Sequence, residues 1–184
     1  MTAERIMDEW YRKSRQISPV RIPRMNRKRL VQYFGEWGLT KGAEIGVDGG
    51  TFSEYMFKEI PGLELIGVDP WLRDQGKRQQ AWDKLKNRKW TRHHMTSLEA
   101  HGMVPDGYLD FVYIDGDHRF DYVMLDLILW APKVHRGGVI AGHDYYRFRD
   151  GGVVPAVDCY TREHGVQKWF VTDEKEATFF WVKP

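Results

Sequence analysis

The sequence predicts a doubly wound α/β domain. Its mostly parallel sheet has seven strands, with helices on both faces and an antiparallel hairpin at the C-terminal end. Three observations carry that prediction. From Ala43 onward, short apolar runs alternate with stretches of helical periodicity. Several of those runs end in Asp or His beside Gly or Pro. The last two runs are joined only by the polar turn Thr172-Asp173-Glu174-Lys175, too short for a crossover helix.

The elements follow in order. Residues 1–16 read as a helix, and SPVRIPR then breaks the pattern twice with proline. A second helix fits 26–37, where Leu30, Val31, Phe34 and Trp37 share one face and Gly38 stops it. Residues 1–38 are thus expected as a helical lid or cap on a domain spanning 39–184. Strands are expected at 43–47, 63–68, 90–95, 109–114 and 138–142, with helices at 52–60, 75–86, 97–102 and 120–130 between them. A helix at 153–165 and strands at 166–171 and 178–182 complete the chain. There is no internal repeat, low-complexity stretch or dividing linker.

Composition narrows the class. At 42% hydrophobic and 29% charged over 184 residues, the chain suits one globular core. No apolar run approaches the ~20 residues that span a bilayer, and the N-terminus does not read as a secretion signal. A lone cysteine, Cys159, forms no internal disulfide, so a cytoplasmic setting is expected. Residues 1–32 carry nine Lys/Arg against three Asp/Glu, a balance of +6, so the rest (19 against 23) stands at −4. A second basic stretch runs from Arg73 to Arg92. Neither stretch interleaves aromatics as RNA-binding surfaces do, and a solvated helix face is the simpler reading. Eight tryptophans is a high count; a core is the simpler home for most, with a homodimer interface as the alternative.

The first strand runs into Glu44-Ile-Gly46-Val-Asp48-Gly49-Gly50-Thr51-Phe52-Ser53. Glycines there let the backbone bend and approach a ligand closely. The spacing is not the G-x-G-x-x-G of dinucleotide loops, and Asp48 would repel a pyrophosphate while suiting a cationic or zwitterionic ligand. The second strand ends in Asp69-Pro70-Trp71, with Asp69 placed 19 residues after Gly50. A carboxylate so placed suits two ribose hydroxyls, and Pro70 and Trp71 offer flat surface to an adenine. After the fourth strand come Asp115, Asp117 and His118; after the fifth, His143 and Asp144. Neighbouring strands would bring these two loops together.

The E-x-G-x-x-x-G loop followed by Val-Asp resembles the cofactor motifs of class I S-adenosylmethionine-dependent methyltransferases, which have Rossmann-like sheets. The Asp115-Gly-Asp-His118 and Gly142-His-Asp-Tyr145 runs resemble one branch, the methyltransferase domain 24 group, related to sugar and macrolide O-methyltransferases and cephalosporin-hydroxylase-like proteins. The resemblance spans about residues 40–165. It implies that Glu44, Gly46 and Gly50 hold the methionine part of the cofactor, with Ser53 on its carboxylate. Asp69 would take the ribose, Trp71 would lie near the adenine, and Ser97 would sit at the adenine edge. It aligns Asp115, His143 and Asp144 with metal ligands, for Mg²⁺ or Mn²⁺, although histidine at 143 departs from the usual carboxylate. In a metal-free alternative, His118 or His143 acts as general base with a carboxylate orienting it. The expected reaction is O-methylation of a small molecule or sugar hydroxyl. The rivals are a nicotinamide-dependent oxidoreductase, disfavoured by the missing dinucleotide loop, and a nucleic-acid-binding module or RNA methyltransferase using the basic stretches, disfavoured because a binding module leaves the Asp/His cluster unused.

Overall fold

A computed structural model describes residues 2–72, 74–148 and 151–184. The sheet has eight strands in the order β1-β7-β8-β6-β5-β2-β3-β4. They are β1 Val20–Ile22, β2 Lys41–Ile45, β3 Glu64–Val68, β4 Trp90–His93, β5 Leu109–Ile114, β6 Val134–Gly142, β7 Phe170–Thr172 and β8 Phe179–Val182. The helices are α1 Ala3–Ser14, α2 Arg27–Glu36, α3 Thr51–Glu59, α4 Gln75–Leu85, α5 Ser97–Ala100, α6 Phe120–Trp130 and α7 Val153–Glu163.

The doubly wound core is as the alternation of elements predicts. β4, β3, β2, β5 and β6 are parallel, and β8 enters antiparallel between β6 and β7. The count differs by one. SPVRIPR, which the prolines mark as a break, holds β1, a three-residue edge strand parallel to β7. Proline is tolerated at a strand's start or on an edge, and Val20 gains full burial there. Residues 1–38 are therefore not a purely helical lid set on a separate domain: they add a strand to the sheet and share its core.

Period-two burial explains the layers. In β5, Phe111 and Tyr113 face one core with Leu30, Phe34 and Met56, while Val112 and Ile114 face the other with Leu127, Trp130 and Val157. α1, α2 and α3 cover the first face; α5, α6 and α7 cover the second. A strand buried on both faces reads as a continuous apolar run, as β5 does from Phe111 to Ile114, after Asp110. α2 buries Leu30, Val31, Phe34 and Trp37, the face its spacing predicts. Most tryptophans are core residues, Trp130 and Trp181 among the most buried, whereas Trp82 on α4 is exposed. Arg73, where the second basic stretch begins, lies outside the described residues. Among the described residues no helix is long and apolar enough to cross a membrane.

Candidate active site

The site lies beyond the carboxyl ends of β2, β3, β5 and β6. Gly46 has φ +92°, and a Cβ there would stand 2.1 Å from the Asp115 carbonyl oxygen. Only glycine lets the β2 loop lie against the β5 loop. Gly50 (φ +73°) caps α3, and a Cβ there would reach 2.9 Å from the Cα of Ala81, so α4 packs directly on the loop. Asp69 ties the two first loops together. Its Oδ2 accepts from the N–H groups of Val47 (3.0 Å) and Asp48 (2.9 Å), and its Oδ1 from that of Trp71 (2.7 Å). Trp71 takes a left-handed φ of +42°, a conformation bulky residues rarely adopt. Its indole N–H donates to the Asp48 carbonyl at 2.8 Å, and its ring is buried against Val47, Ala81 and Leu85. Trp71 thus borders the cavity but also braces the glycine loop from beneath.

A cavity of about 990 Å³ opens here, bordered by Gly46, Asp48, Asp69, Trp71, Ser97, Asp115, His118 and Asp126, among others. Three residues expected to touch the cofactor stand behind this wall. Gly50 shapes the loop. Glu44 and Ser53 are buried and bonded to each other, the hydroxyl donating to the carboxylate. Burial pushes the Glu44 carboxyl up to about 8, against the pull of the Ser53 bond. Asp126 on α6 went unnoticed in the sequence. It borders the cavity beside Ser97, and burial raises its carboxyl to about 6. A single acid inside the apolar run Val123-Met-Leu-Asp126-Leu-Ile-Leu was the available signal.

The two acid–histidine loops converge because the carboxyl ends of β5 and β6 lie side by side, Ile114 opposite Gly142. His118 Nε2 lies 3.1 Å from Asp144 Oδ2 and 3.7 Å from Asp115 Oδ1. His143 Nδ1 lies 3.3 Å and 3.8 Å from those same oxygens. Asp115 bonding and the Asp144 charge raise the His118 pKa above its ordinary value, outweighing burial. Burial works against the Asp144 charge, yet His143, His118 and Arg27 hold its carboxyl below the usual range. Asp144 sits at φ +59°, a conformation aspartate tolerates better than most residues. Asp117 instead forms a two-pronged pair with Arg119, at 3.0 and 2.8 Å. Tyr145 turns away to donate to Asp158 and pack on Trp169, so it does not line the cluster. Arg27, at the start of α2, is one of nine basic residues within 1–32, and nothing in the sequence sets it apart. In space its guanidinium stands 3.9 Å from Asp115 Oδ2 and 5.0 Å over the Phe52 ring.

Ligand atoms of Asp115, His118 and Asp144 lie within 4.8 Å of one another, close enough to share a cation. The sequence points to Asp115, His143 and Asp144; the compact set instead has His118, with His143 Nδ1 slightly farther off, at 3.3 Å from Asp144 and 3.8 Å from Asp115. The donors mix nitrogen with oxygen. That set fits Mn²⁺ better than Mg²⁺, which prefers oxygen throughout.

A twisted parallel sheet with a glycine loop, an acid after the next strand and an Asp/His cluster beyond its carboxyl edge defines a Rossmann-like domain for a nucleoside-bearing ligand. Solved structures share the fold. An O-methyltransferase from Bacillus cereus in complex with S-adenosylhomocysteine superposes with a TM-score of 0.69 at 12% identity, over 98% of this chain and 90% of that one. The O-methyltransferase TomG from Streptomyces achromogenes, involved in tomaymycin synthesis and solved with S-adenosylmethionine, gives 0.61 at 14%, over 86% and 80%. An uncharacterised protein of Acanthamoeba polyphaga mimivirus is 39% identical over 56 residues, 30% of this chain and 25% of that protein. The chain thus matches only a quarter of that relative's length. Residues 43–145 match the family described as "Methyltransferase domain". The chain belongs to this methyltransferase domain 24 family, the branch its Asp/His motifs resemble.

Proposed function

We propose that the protein methylates a hydroxyl oxygen of a small molecule or sugar, using S-adenosylmethionine. The observation that carries this reading is the convergence of Asp115, His118, His143 and Asp144 beside the cavity that the glycine loop and Asp69 shape. S-adenosylmethionine supplies an electrophilic methyl group when bound. Asp69 is placed for the ribose, Ser97 and Asp126 for the adenine edge, and Gly46 for the close backbone approach. With Asp144 near Nε2, His118 is oriented to take the acceptor's proton on its other ring nitrogen as the oxygen attacks. Asp144 and Asp115 would then stabilise the imidazolium as the oxygen takes the methyl group that the bound cofactor would supply, leaving S-adenosylhomocysteine.

The compact Asp115/His118/Asp144 set supports a second reading, in which a divalent ion held by those residues lowers the hydroxyl's pKa. A cytoplasmic setting and acceptors other than nucleic acid accord with the single cysteine and with basic stretches that do not interleave aromatics; size-exclusion chromatography tests a homodimer.

The test is calorimetric titration with S-adenosylmethionine and S-adenosylhomocysteine, with and without Mn²⁺, followed by a screen of hydroxylated acceptors for S-adenosylhomocysteine release. Micromolar binding and turnover that falls roughly 10²–10⁴-fold in His118→Ala support the proposal. Binding of neither ligand sinks it, and heat that appears only with Mn²⁺ selects the metal reading.

A further inference from the structure

The methionine end of the cofactor carries a carboxylate, and the site's floor is acidic: Asp48, Asp69, Asp115 and Asp126 all border the cavity. Ser53, the expected partner, is buried on Glu44 and out of reach. The cations near the glycine loop are mostly engaged. Lys77 pairs with Asp48 at 2.8 Å, and Lys84 donates to the Gly49 carbonyl and the Thr51 hydroxyl at 2.8 Å each. Arg119 is locked on Asp117.

Arg27 differs. Among the described residues its guanidinium makes no hydrogen bond; its contacts are the Phe52 ring and, at 3.9 Å, Asp115. Yet its backbone is held firmly. The Arg27 N–H donates to Glu174 Oε1 at 2.7 Å, the Arg24 N–H to Asp173 Oδ2 at 3.1 Å, and the Asp173 N–H to the Met25 carbonyl at 2.7 Å. The β7–β8 turn therefore fixes where α2 begins, and β1 pairing with β7 brings the N-terminal segment to that turn. Arg27 does not border the cavity itself, but its guanidinium, with donors open, lies over Phe52 and 3.9 Å from Asp115, which does, so it stands within reach of a carboxylate at the cavity's edge.

We infer that Arg27 binds the α-carboxylate of the cofactor's methionine moiety, making the N-terminal segment part of the cofactor site. The inference rests on the S-adenosylmethionine reading. Its test compares S-adenosylhomocysteine with the same molecule lacking the carboxylate, decarboxylated S-adenosylhomocysteine, on the wild type and Arg27→Gln. Losing a charge-assisted bond should weaken S-adenosylhomocysteine by roughly 10–100-fold in the variant. The wild type should prefer the carboxylate-bearing ligand by a similar factor, and Arg27→Gln should bind both ligands alike. A wild type that binds both equally overturns the inference without any variant. So does an Arg27→Gln protein that weakens both ligands by one factor, which is a structural effect, or one that leaves both affinities unchanged and only raises the acceptor KM. A wild type that binds neither ligand overturns the cofactor reading as well.

Discussion

The two halves of the site are held in different ways. The wall formed after β2 and β3 is local: residues 44–71 supply the loop, the acid and the tryptophan, and three backbone N–H groups on one Asp69 carboxylate lock them together. The reaction side is assembled from afar. Arg27, Asp115, His118, His143 and Asp144 come from three stretches of chain, and side chains from residues 173–174 fix the first of them. The difference suggests that the first wall is part of the folding core. The second is a set of charges whose positions depend on strand register, so substitutions there should change chemistry more than stability.

The sharpest attempt to break that contrast is Asp69→Ala. Removing a carboxylate that ties two loops and, on the proposed reading, takes the ribose should lower S-adenosylhomocysteine affinity about 100-fold, from roughly 3 kcal/mol of charge-assisted bonding. Titration calorimetry reads it, and a loss under threefold would mean the loops hold without the acid. Next comes Gly46→Ala. Its Cβ would meet the Asp115 carbonyl oxygen at 2.1 Å from a φ of +92°. The expected cost is about 3 kcal/mol, or roughly 10 °C in melting temperature. His143→Ala, on the other side, should leave the melting temperature nearly unchanged while reducing turnover; equal melting losses in the two variants would erase the distinction.

The same contrast sets what the sequence made legible. The glycine loop, Asp69 and the strand-end Asp/His pairs stand in contiguous motifs, and the alternation of elements foretold the parallel sheet. β1 escaped because a three-residue edge strand bordered by prolines has no periodicity to detect. Arg27 escaped because its partners lie about 90 and 150 residues away. Ser53 was misdirected because its spacing puts it at the helix start but does not say which way it turns; burial against Glu44 decides that.

Protonation separates the halves further. The Glu44 carboxyl is raised by burial from 4.5 to about 8, so the folded state holds its proton more tightly than the unfolded chain. Its contribution to stability is complete below pH 4.5 and is lost as pH climbs toward 8. Glu44→Gln should therefore flatten the decline of melting temperature across that window. The slope from Asp126, which titrates between 3.8 and about 6, should remain. An unaltered profile would show that Glu44 is ionised in the fold. On the reaction side, Asp115 and Asp144 raise the His118 pKa, so kcat/KM should climb with pH and level off above an inflection higher than 6.5. Asp115→Asn should move that inflection to lower pH; if it stays put, His118 is not the group being read.

The smallest effect tests whether every charge near the loop matters. Lys77 meets Asp48 at 2.8 Å, closer than Arg27 meets Asp115, but with side-chain exposures of 39% and 71%. Water screens such a pair and supplies its own hydrogen bonds when the partner goes. Lys77→Ala should change S-adenosylhomocysteine affinity by less than ~3-fold, against the larger loss expected for Arg27→Gln. Proximity alone would rank the two lysine and arginine contacts the other way round. If Lys77→Ala proves the more damaging, the cofactor's charge is read at Asp48 on the glycine loop, and the N-terminal segment serves the sheet rather than the site.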